Sequence, residues 1–371
     1  MNVVVVTVAH RGDDARIVHR QIRSLLEANH SVTLIAPDPG ESRSQDPEGL
    51  ERIVIRRAVG RRRVRAWWEA RRAARRFAGI ADVILVHDPE LVPVLAIGRW
   101  KRAALVWDVH EDFVASVSDR VWLPRVARPF VRRILVVLEK VAQKRFHVIL
   151  AEDSYTSRFP HAPVVPNSTW VLDDPADLDL SSPRAVYVGR LSRSRGVAGL
   201  VALGEELVRI GGPRLVLVGP ADTDVAAVLD DAVRRDVLDW RGPLPNPEAL
   251  AVVRGAVAGL SLLLNHANYL HSRPTKVIEY MAQGTPAITT PLPLAVEMVQ
   301  ASSAGVVTSS WFGPDLVSEV ANAVMAYASS PALRGQHGRQ GWEYVRANLS
   351  WNSDGSRFVG LLEGFSAASR R

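Results

Sequence analysis

Short apolar runs alternate with longer amphipathic stretches through most of the chain. The runs are rich in β-branched residues and have the length of buried strands, and the stretches between them have helical spacing. The predicted strands are Val3–Ala9, Val32–Pro37, Val83–His87, Leu105–His110 and Val148–Ala151, then Ala185–Val188, Leu215–Val218, Gly259–Leu264, Pro286–Thr290 and Gly305–Thr308. The predicted helices are Ala15–Ala28, Ala66–Phe77, Leu91–Trp100 and Phe130–Lys144, then Val197–Ile210, Val225–Arg235, Pro247–Arg254, Lys276–Gln283 and Leu294–Gln300.

This alternation is typical of parallel sheets wrapped by helices, so we expect an α/β protein with two Rossmann-like domains. The proline-, aspartate- and serine-rich segment Pro160–Pro183 separates them. We place an N-terminal domain at residues 1–166 and a C-terminal domain at 167–349. The last helix, near residues 350–371, is expected to pack back on the first domain. The cleft between the domains is the expected site.

The composition narrows the class of protein. The chain has 371 residues and a formal net charge of +7, which comes from arginine because only four lysines occur. It has no cysteine, which excludes disulfides and thiolate zinc sites and fits a reducing cytoplasm. No apolar run reaches the roughly 18 residues of a membrane-spanning helix, and the N-terminal run lacks the features of a signal peptide. We therefore expect a cytoplasmic protein that does not span a membrane.

The usual nucleotide-binding motifs are missing. No Gly-Lys dipeptide occurs, which excludes an ordinary Walker A loop, and the first predicted strand leads into Ala9–Asp14 instead of a G-x-G-x-x-G turn. The segment Gly189–Gly196 offers another phosphate-binding device, since its two glycines and three arginines lie between a strand and a helix. It suits a diphosphate, although a solvated arginine-rich loop has the same composition.

The stretch Arg273–Gly284 is more specific. We predict that Thr275 caps a helix whose start binds anionic oxygens together with Lys276. Glu279, one turn further, is placed to accept hydrogen bonds from a ribose diol, and Gly284 closes the helix. An amphipathic helix with a surface glutamate is the alternative interpretation.

These segments together resemble the retaining family 4 glycosyltransferases, the group 1 glycosyl transferases, which have the glycosyltransferase-B (GT-B) fold of two Rossmann-like domains facing a central cleft. The resemblance covers nearly the whole chain and is carried by His10–Ile17, His87–Leu91, Asp108–Asp112, Pro166-Asn167, Gly189–Gly196, Leu217–Pro220, Arg273–Gly284 and Ser350-Trp351. It implies an enzyme that transfers a hexosyl or related sugar from a nucleotide-diphosphate donor to an acceptor hydroxyl with retention of configuration. We expect no cofactor, since the nucleotide sugar is a co-substrate.

The resemblance also assigns roles in the donor domain. It places Arg190 and Arg195 on the donor diphosphate and Glu279 on the ribose. His271 stands where many relatives have a sugar-binding glutamate, so the sugar is not identified. Like His271, the nearby residues Asn268, Tyr269 and Ser272 are candidates to replace that glutamate. The complete donor-binding set is Gly189, Arg190, Arg195, Gly219, His271, Thr275, Lys276 and Glu279.

In the first domain, the resemblance places His110 beside the transferred sugar. The catalytic set is His110, Arg190, Arg195 and Glu279. The acceptor-side set follows three predicted strands and comprises His10, Asp13, Asp14, Arg16, His87, Asp88 and Glu111. The alternatives are structural roles. His110 would then only hydrogen-bond at the strand end, Asp14 would cap a helix, and Glu111 and Asp112 would cap a helix or pair with nearby arginines.

Two D-x-D triplets, Asp177-Leu178-Asp179 and Asp222-Thr223-Asp224, resemble the metal signature of the other large glycosyltransferase fold. Both fall in predicted loops, and the two arginines already supply positive charge for the leaving diphosphate. We interpret both triplets as solvated loops and expect a metal-independent enzyme.

Two basic segments complete the pattern. Arg56–Arg76 contains ten arginines together with Trp67 and Trp68, and Arg120–Arg145 is also basic. Interleaved arginine and tryptophan suit an anionic membrane surface and hence a peripheral location at its inner face. A solvated helix face is the alternative, and nucleic acid is the least favoured partner.

Three questions stay open at this level. The acceptor is a glycan of a surface polysaccharide, a lipid-linked saccharide or glycolipid, or a small-molecule aglycone of secondary metabolism. A nucleotide-sugar epimerase of the same fold is an alternative enzyme, and a non-catalytic module that binds sugar nucleotides or a membrane surface is an alternative without chemistry. The oligomeric state is also open.

Overall fold

The structure is a computed structural model that describes residues 1–40, 46–98, 100, 102–110, 128–270 and 273–370; for Arg61, Ala267 and Asn268 it describes the backbone alone. The chain divides into two units, Met1–Asn167 with Ser353–Arg371 and Ser168–Asn352. The sequence analysis places the boundary after residue 166 and the return of the chain near residue 350.

The first unit contains a six-stranded parallel sheet. Its strands are β1 (Asn2–Val6), β2 (Ser31–Pro37), β3 (Leu50–Ile55), β4 (Val83–Val86), β5 (Ala104–Val109) and β6 (His147–Leu150). Its helices are α1 (Arg23–Glu27, preceded by a π-helical segment at Ile17–Ile22), α2 (Arg63–Arg75), α3 (Leu91–Ala96) and α4 (Arg128–Arg145), with short 3-10 turns at Gly60–Arg62 and Asp153–Ser157. Val3–Val6 of β1 and all of β4 are apolar and buried because helices cover both faces of the sheet.

The strand order β3-β2-β1-β4-β5-β6 determines where the helices lie. The chain moves outward from β1 to β3, then crosses to β4 and moves outward in the opposite direction to β6. Right-handed crossovers therefore place the helices before and after this reversal on opposite faces. α2, α3 and α4 form one layer, in which α3 packs against both α2 and α4.

The second unit repeats this architecture. Its sheet has the order β12-β11-β10-β7-β8-β9, with all observed pairs parallel. The strands are β7 (Arg184–Val188), β8 (Arg214–Val218), β9 (Asp239–Trp240), β10 (Ala258–Ser261), β11 (Ala287–Thr289) and β12 (Val306–Val307). The helices are α5 (Val197–Arg209), α6 (Thr223–Arg234), α7 (Asn246–Val253), α8 (Ala267–Leu270), α9 (Thr275–Ala282), α10 (Pro293–Ser302), α11 (Gly313–Ser329) and α12 (Pro331–Asn348), with a 3-10 turn at Arg193–Arg195. The order reverses between β7 and β10, which is where Rossmann-like sheets bind ligands.

The last helix, α13 (Trp351–Arg370), begins in the second unit and continues into the first. There Phe365 stacks on His147 with ring centres 4.3 Å apart, and Glu363 lies 3.0 Å from His30. These contacts hold the C-terminal part of α13 on the first unit.

The sequence prediction missed two strands and extended one helix. β3 is an edge strand in which only Ile55 is buried, and β9 has two half-buried residues, so neither produces an apolar run. The helix predicted to reach Trp100 ends at Ala96, because Gly98 adopts φ +113. Within the described part of the chain, every helix falls short of the length and apolarity needed to cross a membrane.

Candidate active site

Three glycines shape the loops at the reversal point of the second sheet. Gly189 follows β7 with φ +134, and Gly219 follows β8 with φ +139. A Cβ on Gly219 would lie 2.0 Å from the carbonyl oxygen of Gly189, so these loops touch only because Gly219 lacks a side chain. Gly196, with φ +82, packs equally closely, since a Cβ there would lie 2.1 Å from the carbonyl oxygen of Leu262. The predicted phosphate segment is therefore held firmly by its neighbours.

Lys276 presents a buried ammonium to this loop. Its side chain is 6% exposed, and Nζ lies 3.8 Å from the centre of the Tyr187 ring. Within the described residues Nζ has no hydrogen-bond partner. The Cβ position of Gly189 lies 3.6 Å from this Nζ and 3.8 Å from Nη1 of Arg195, so both positive side chains approach the same glycine.

The electrostatics of this group are unusual for a lysine. Burial, followed by the nearby Arg195 guanidinium, holds the pKa of Lys276 well below its ordinary value, and Glu279 opposes that shift only in part. A desolvated ammonium without an acceptor is costly, and an anionic oxygen placed beside it would supply both charge and hydrogen bonds. The position is suited to an anion.

The other two arginines of the loop pair with a carboxylate triplet. Arg190 Nε lies 2.6 Å from Asp222, and Arg193 Nε lies 2.8 Å from Asp224. The interpretation of this triplet as a solvated loop is wrong, because α6 begins at Thr223 and both aspartates form ion pairs with the predicted phosphate segment. In the other triplet, Asp179 pairs with Arg184 at 2.9 Å. Each of the two triplets therefore contributes at least one carboxylate to an ion pair with an arginine.

The helix of the Arg273–Gly284 stretch starts differently from the prediction. α9 begins at Thr275 itself, Pro274 occupies the N-cap position, and no side chain caps the helix, so the predicted Thr275 cap is wrong. Proline preorganises this start with its fixed φ. Thr275 is exposed at the first helical position, and Glu279 is 8% exposed, which excludes the alternative of a surface glutamate.

The end of α9 follows the prediction. Gly284 has φ +72, its N–H donates to the Met281 carbonyl, and the N–H of Thr285 donates to the Tyr280 carbonyl. These two bonds form a Schellman motif, which requires a residue in the left-handed conformation at this position.

A chain of hydroxyl groups links the phosphate segment to the segment before α9. Ser192 Oγ lies 3.1 Å from Ser194 Oγ, which lies 3.2 Å from the hydroxyl of Tyr269. Tyr269, one of the candidates for the position of the missing glutamate, therefore contacts the loop directly. His271 and Ser272 lie outside the described residues, as does the side chain of Asn268.

In the first unit, three histidines from the ends of β1, β4 and β5 come together. His110 Nε2 lies 3.0 Å from His10 Nε2, and the rings of His87 and His110 are 5.5 Å apart in an edge-on arrangement. Burial, followed by the field of His10, lowers the pKa of His110 to about 3, so this imidazole is neutral near pH 7. In the hydrogen bond between the two Nε2 atoms, one ring donates its N–H and the other accepts it.

Two buried carboxylates organise this histidine cluster. Asp88 accepts hydrogen bonds from the backbone N–H groups of Val8 and Ala9 at 2.6 and 3.2 Å and from the Thr7 hydroxyl at 2.8 Å, which fixes the turn after β1. Its other oxygen lies 3.3 Å from Nε2 of His10. Asp88 therefore holds the β1 turn next to His10.

Asp108 is the second carboxylate and was absent from the predicted site residues. Arg16 binds it through two parallel bonds of 2.8 Å, and Gln21 donates to it at 2.8 Å. Burial alone would raise the pKa of Asp108, but the Arg16 guanidinium and the imidazole of His87, whose Nδ1 lies 3.3 Å away, hold it well below its ordinary value. The sequence signal was an aspartate inside an otherwise apolar strand, which a buried partner must compensate.

Of the remaining acceptor-side candidates, Asp13 and Asp14 make contacts within their own loop. Asp13 pairs with Arg11 at 3.1 Å, and Asp14 accepts bonds from the backbone N–H groups of Arg16 and Ile17 at the start of the helical segment. Asp14 thus stabilises a helix start, and its oxygen lies 3.9 Å from His10. Glu111 and Asp112 lie outside the described residues.

The ligand atoms of His87, Asp108 and His110 lie within 4.8 Å of one another, a spacing that could hold a metal ion. However, both oxygens of Asp108 already accept hydrogen bonds from Arg16. The guanidinium of Arg16 therefore already neutralises the carboxylate that a metal ion would need as a ligand. The cluster is therefore better described as a charge-compensated polar network than as a metal centre.

Comparisons with known proteins agree with this architecture. Residues 182–329 match the family model described as Glycosyl transferases group 1. A search of curated proteins finds no match. Among solved structures, sucrose-phosphate synthase from Thermosynechococcus elongatus is similar over 99% of both chains, with a TM-score of 0.69 and 17% identity. WaaG, a glycosyltransferase involved in lipopolysaccharide biosynthesis, is similar over 98% of this chain and 100% of its own, with a TM-score of 0.67 and 13% identity.

A third similar structure is HepE of Anabaena in complex with UDP and glucose, with a TM-score of 0.64 and 13% identity over 98% of this chain and 100% of the other. At these identities the structures establish the fold, which is GT-B. The two repeated sheets thus have the GT-B fold, and the second unit contains the residues that match glycosyl transferases group 1.

Proposed function

We propose that the protein transfers a sugar from a nucleotide-diphosphate donor to an acceptor hydroxyl with retention of anomeric configuration. The bond between the anomeric carbon and the diphosphate oxygen breaks, a bond from that carbon to the acceptor oxygen forms, and the acceptor proton leaves. The products are the glycosylated acceptor and a nucleoside diphosphate. The leaving diphosphate gains negative charge, so preorganised positive groups lower the barrier.

The observation that carries this proposal is the buried Nζ of Lys276, which has no hydrogen-bond partner within the described residues and shares the neighbourhood of Gly189 with Arg195. Two positive side chains near one glycine at a sheet reversal suit a diphosphate. We assign the phosphate oxygens to Lys276, Arg195 and the backbone near Gly189. Arg190 exchanges its exposed contact with Asp222 for the leaving group.

Glu279 supplies the acceptor for a ribose diol in this proposal. It lies on α9 one turn after Lys276 and is buried within the same region of the second unit. A carboxylate accepts both hydroxyl protons of a diol, and its charge partly offsets the low pKa of Lys276. Nucleotide recognition and charge stabilisation thus come from one short helix.

His110 orients the transferred sugar in this account. Its neutral ring and its bond to His10 support a hydrogen-bonding role over proton uptake. His10, Asp14, Arg16, His87 and Asp88 belong to the same network and position it from the acceptor side. No metal participates in the proposed reaction, and a cytoplasmic location with access to an acceptor glycan, lipid-linked saccharide or aglycone completes the proposal.

Calorimetric titration with UDP, GDP and ADP tests the donor site. We expect one nucleoside diphosphate to bind the wild type and the Arg195→Ala variant to bind it about tenfold or more weakly, since one charge-assisted bond is lost. Arg339→Ala, an exposed arginine on α12, is the matched control. Equal affinities in wild type and Arg195→Ala would overturn the assignment of the diphosphate to this loop.

A further inference from the structure

The outward side of α4 carries four large apolar residues. Phe130, Ile134, Val137 and Val141 are 69, 44, 54 and 40% exposed. Their spacing of four, three and four residues places them within an arc of about 60° at about 100° per residue. They form a continuous apolar stripe along a helix of 18 residues, about 27 Å long.

This stripe is distinct from the side of α4 that packs on the unit. Glu139 and Ala142 are the buried residues of the helix, and α3 packs against it. Leu135 and Leu138 line a small cavity together with Trp107. The buried residues of α4 therefore lie on its other side, whereas each of the four apolar residues of the stripe is at least 40% exposed.

Positive charges flank the stripe. Arg133, Lys140 and Lys144 are exposed on one flank of the helix, and Arg145 is exposed on the other. The single carboxylate of α4, Glu139, is buried and pairs with Arg158 at 3.2 Å. No carboxylate of this helix therefore opposes the positive charge of the outward side.

The same helix layer extends the surface through α2. Val64 and Trp68, four residues apart, are 53 and 56% exposed. The guanidinium of Arg71 lies 5.7 Å from the centre of the Trp68 ring. Trp67, in contrast, turns inward and donates a hydrogen bond to Glu90. Only one of the two adjacent tryptophans is thus presented outward, among the arginines of α2.

We propose that this surface, the α4 stripe and its basic flanks together with Trp68 and Val64 of α2, docks on an anionic lipid bilayer. Apolar side chains gain free energy by entering the acyl boundary, and flanking lysine and arginine bind the lipid phosphates. A nucleic acid would use the cations but leave the apolar stripe in water. Charge complementarity and the apolar stripe together favour the bilayer. The proposal does not depend on the glycosyl-transfer reaction.

Sedimentation with lipid vesicles tests the docking surface. The full chain is expected to bind vesicles of phosphatidylglycerol and phosphatidylcholine and to bind phosphatidylcholine vesicles at least about tenfold more weakly. Ile134→Asn with Val137→Asn, and separately Arg133→Glu with Lys140→Glu, are each expected to weaken anionic vesicle binding about tenfold or more. Thermal unfolding of each variant verifies that it is folded.

Matched control variants distinguish docking by this surface from non-specific effects of exposed apolar residues and of net charge. Val208→Asn with Val228→Asn removes two valines that are 57 and 50% exposed in the second unit, and Arg339→Glu with Arg357→Glu reverses two exposed arginines elsewhere. Both control variants should bind anionic vesicles nearly as well as the wild type. The second should show a small loss of affinity because its net charge is lower. Equal binding by the stripe variant and its control would overturn the proposal. So would binding to duplex DNA or RNA that outcompetes vesicles, or equal binding to neutral and anionic vesicles.

Discussion

The ammonium of Lys276 lies 3.8 Å from the centre of the buried Tyr187 ring. A cation over an aromatic face gains some attraction, but this attraction does not replace the hydrogen bonds that the ammonium had in water. The low pKa of Lys276 records this deficit. The free protein therefore carries a local instability that an anionic ligand would relieve.

Lys276→Met should accordingly stabilise the unliganded protein and weaken nucleotide binding. Methionine fills a similar volume without a buried charge, so we expect the free energy of unfolding to rise by about 1 kcal/mol. Nucleoside diphosphate affinity should fall about 100-fold. Denaturant unfolding and calorimetry measure the two effects, and Lys144→Met, at an exposed lysine, should change neither. A destabilised Lys276→Met protein with unchanged affinity would refute this view of the site.

Arg190 and Arg193 provide a matched pair for the leaving-group role. Both are exposed and each pairs with one aspartate of the Asp222-Thr223-Asp224 triplet. Because exposed ion pairs contribute little, either alanine variant should change stability by less than about 1 kcal/mol. Arg190→Ala should lower kcat about 100-fold, whereas Arg193→Ala should retain most activity. Steady-state kinetics decide the matter, and equal kcat values for the two variants would remove Arg190 from the reaction.

Gly219 should tolerate no side chain. Alanine there would be strained at φ +139, and its Cβ would meet the Gly189 carbonyl oxygen at 2.0 Å. We expect Gly219→Ala to lower the free energy of unfolding by about 3 kcal/mol and to weaken donor binding by displacing the phosphate loop. The control is Gly242→Ala, because Gly242 has φ +65 and open space around it, and its cost should be about 1 kcal/mol. Similar losses in both variants would mean that the contact between the loops is unimportant.

The histidine cluster should make the protein acid-sensitive. His110 is neutral in the folded state until about pH 3, whereas in the unfolded chain it takes up a proton near its ordinary pKa of 6.5. The unfolded state binds more protons between these values, so stability should fall as pH falls from about 6.5 towards 3. His110→Asn should flatten that dependence, and His161→Asn, at an exposed histidine, should not. Unfolding midpoints measured across this range would contradict the account if His110→Asn and wild type had the same slope.

The sequence predicts the central strands well because a strand buried on both faces must be apolar throughout, as in Val3–Val6. It predicts β3 and β9 poorly because edge strands have no such requirement. Gly284 was predictable because the left-handed conformation at a helix end is a local requirement. The Thr275 cap failed because Pro274 took the N-cap position.

At the candidate site, the partners in polar pairs that are distant in sequence could not be predicted. Arg16 and Asp108 are 92 residues apart, and their bidentate contact depends on which strands are neighbours. The pairing of Arg190 with Asp222 likewise depends on the loops after β7 and β8 touching at glycine. Residue types and spacing identify such residues as candidates, but only the strand order assigns their partners.

The release of nucleoside diphosphate tests the central claim most directly. The wild-type protein would be incubated with a panel of UDP-, GDP-, ADP- and dTDP-sugars in the presence of carbohydrate and lipid-linked acceptors. The account predicts that one donor releases its nucleoside diphosphate in equal amount with glycosylated acceptor, and that Lys276→Met and Arg190→Ala abolish most of this release. An isomerised sugar nucleotide formed without acceptor, or release that is unchanged in both variants, would contradict it.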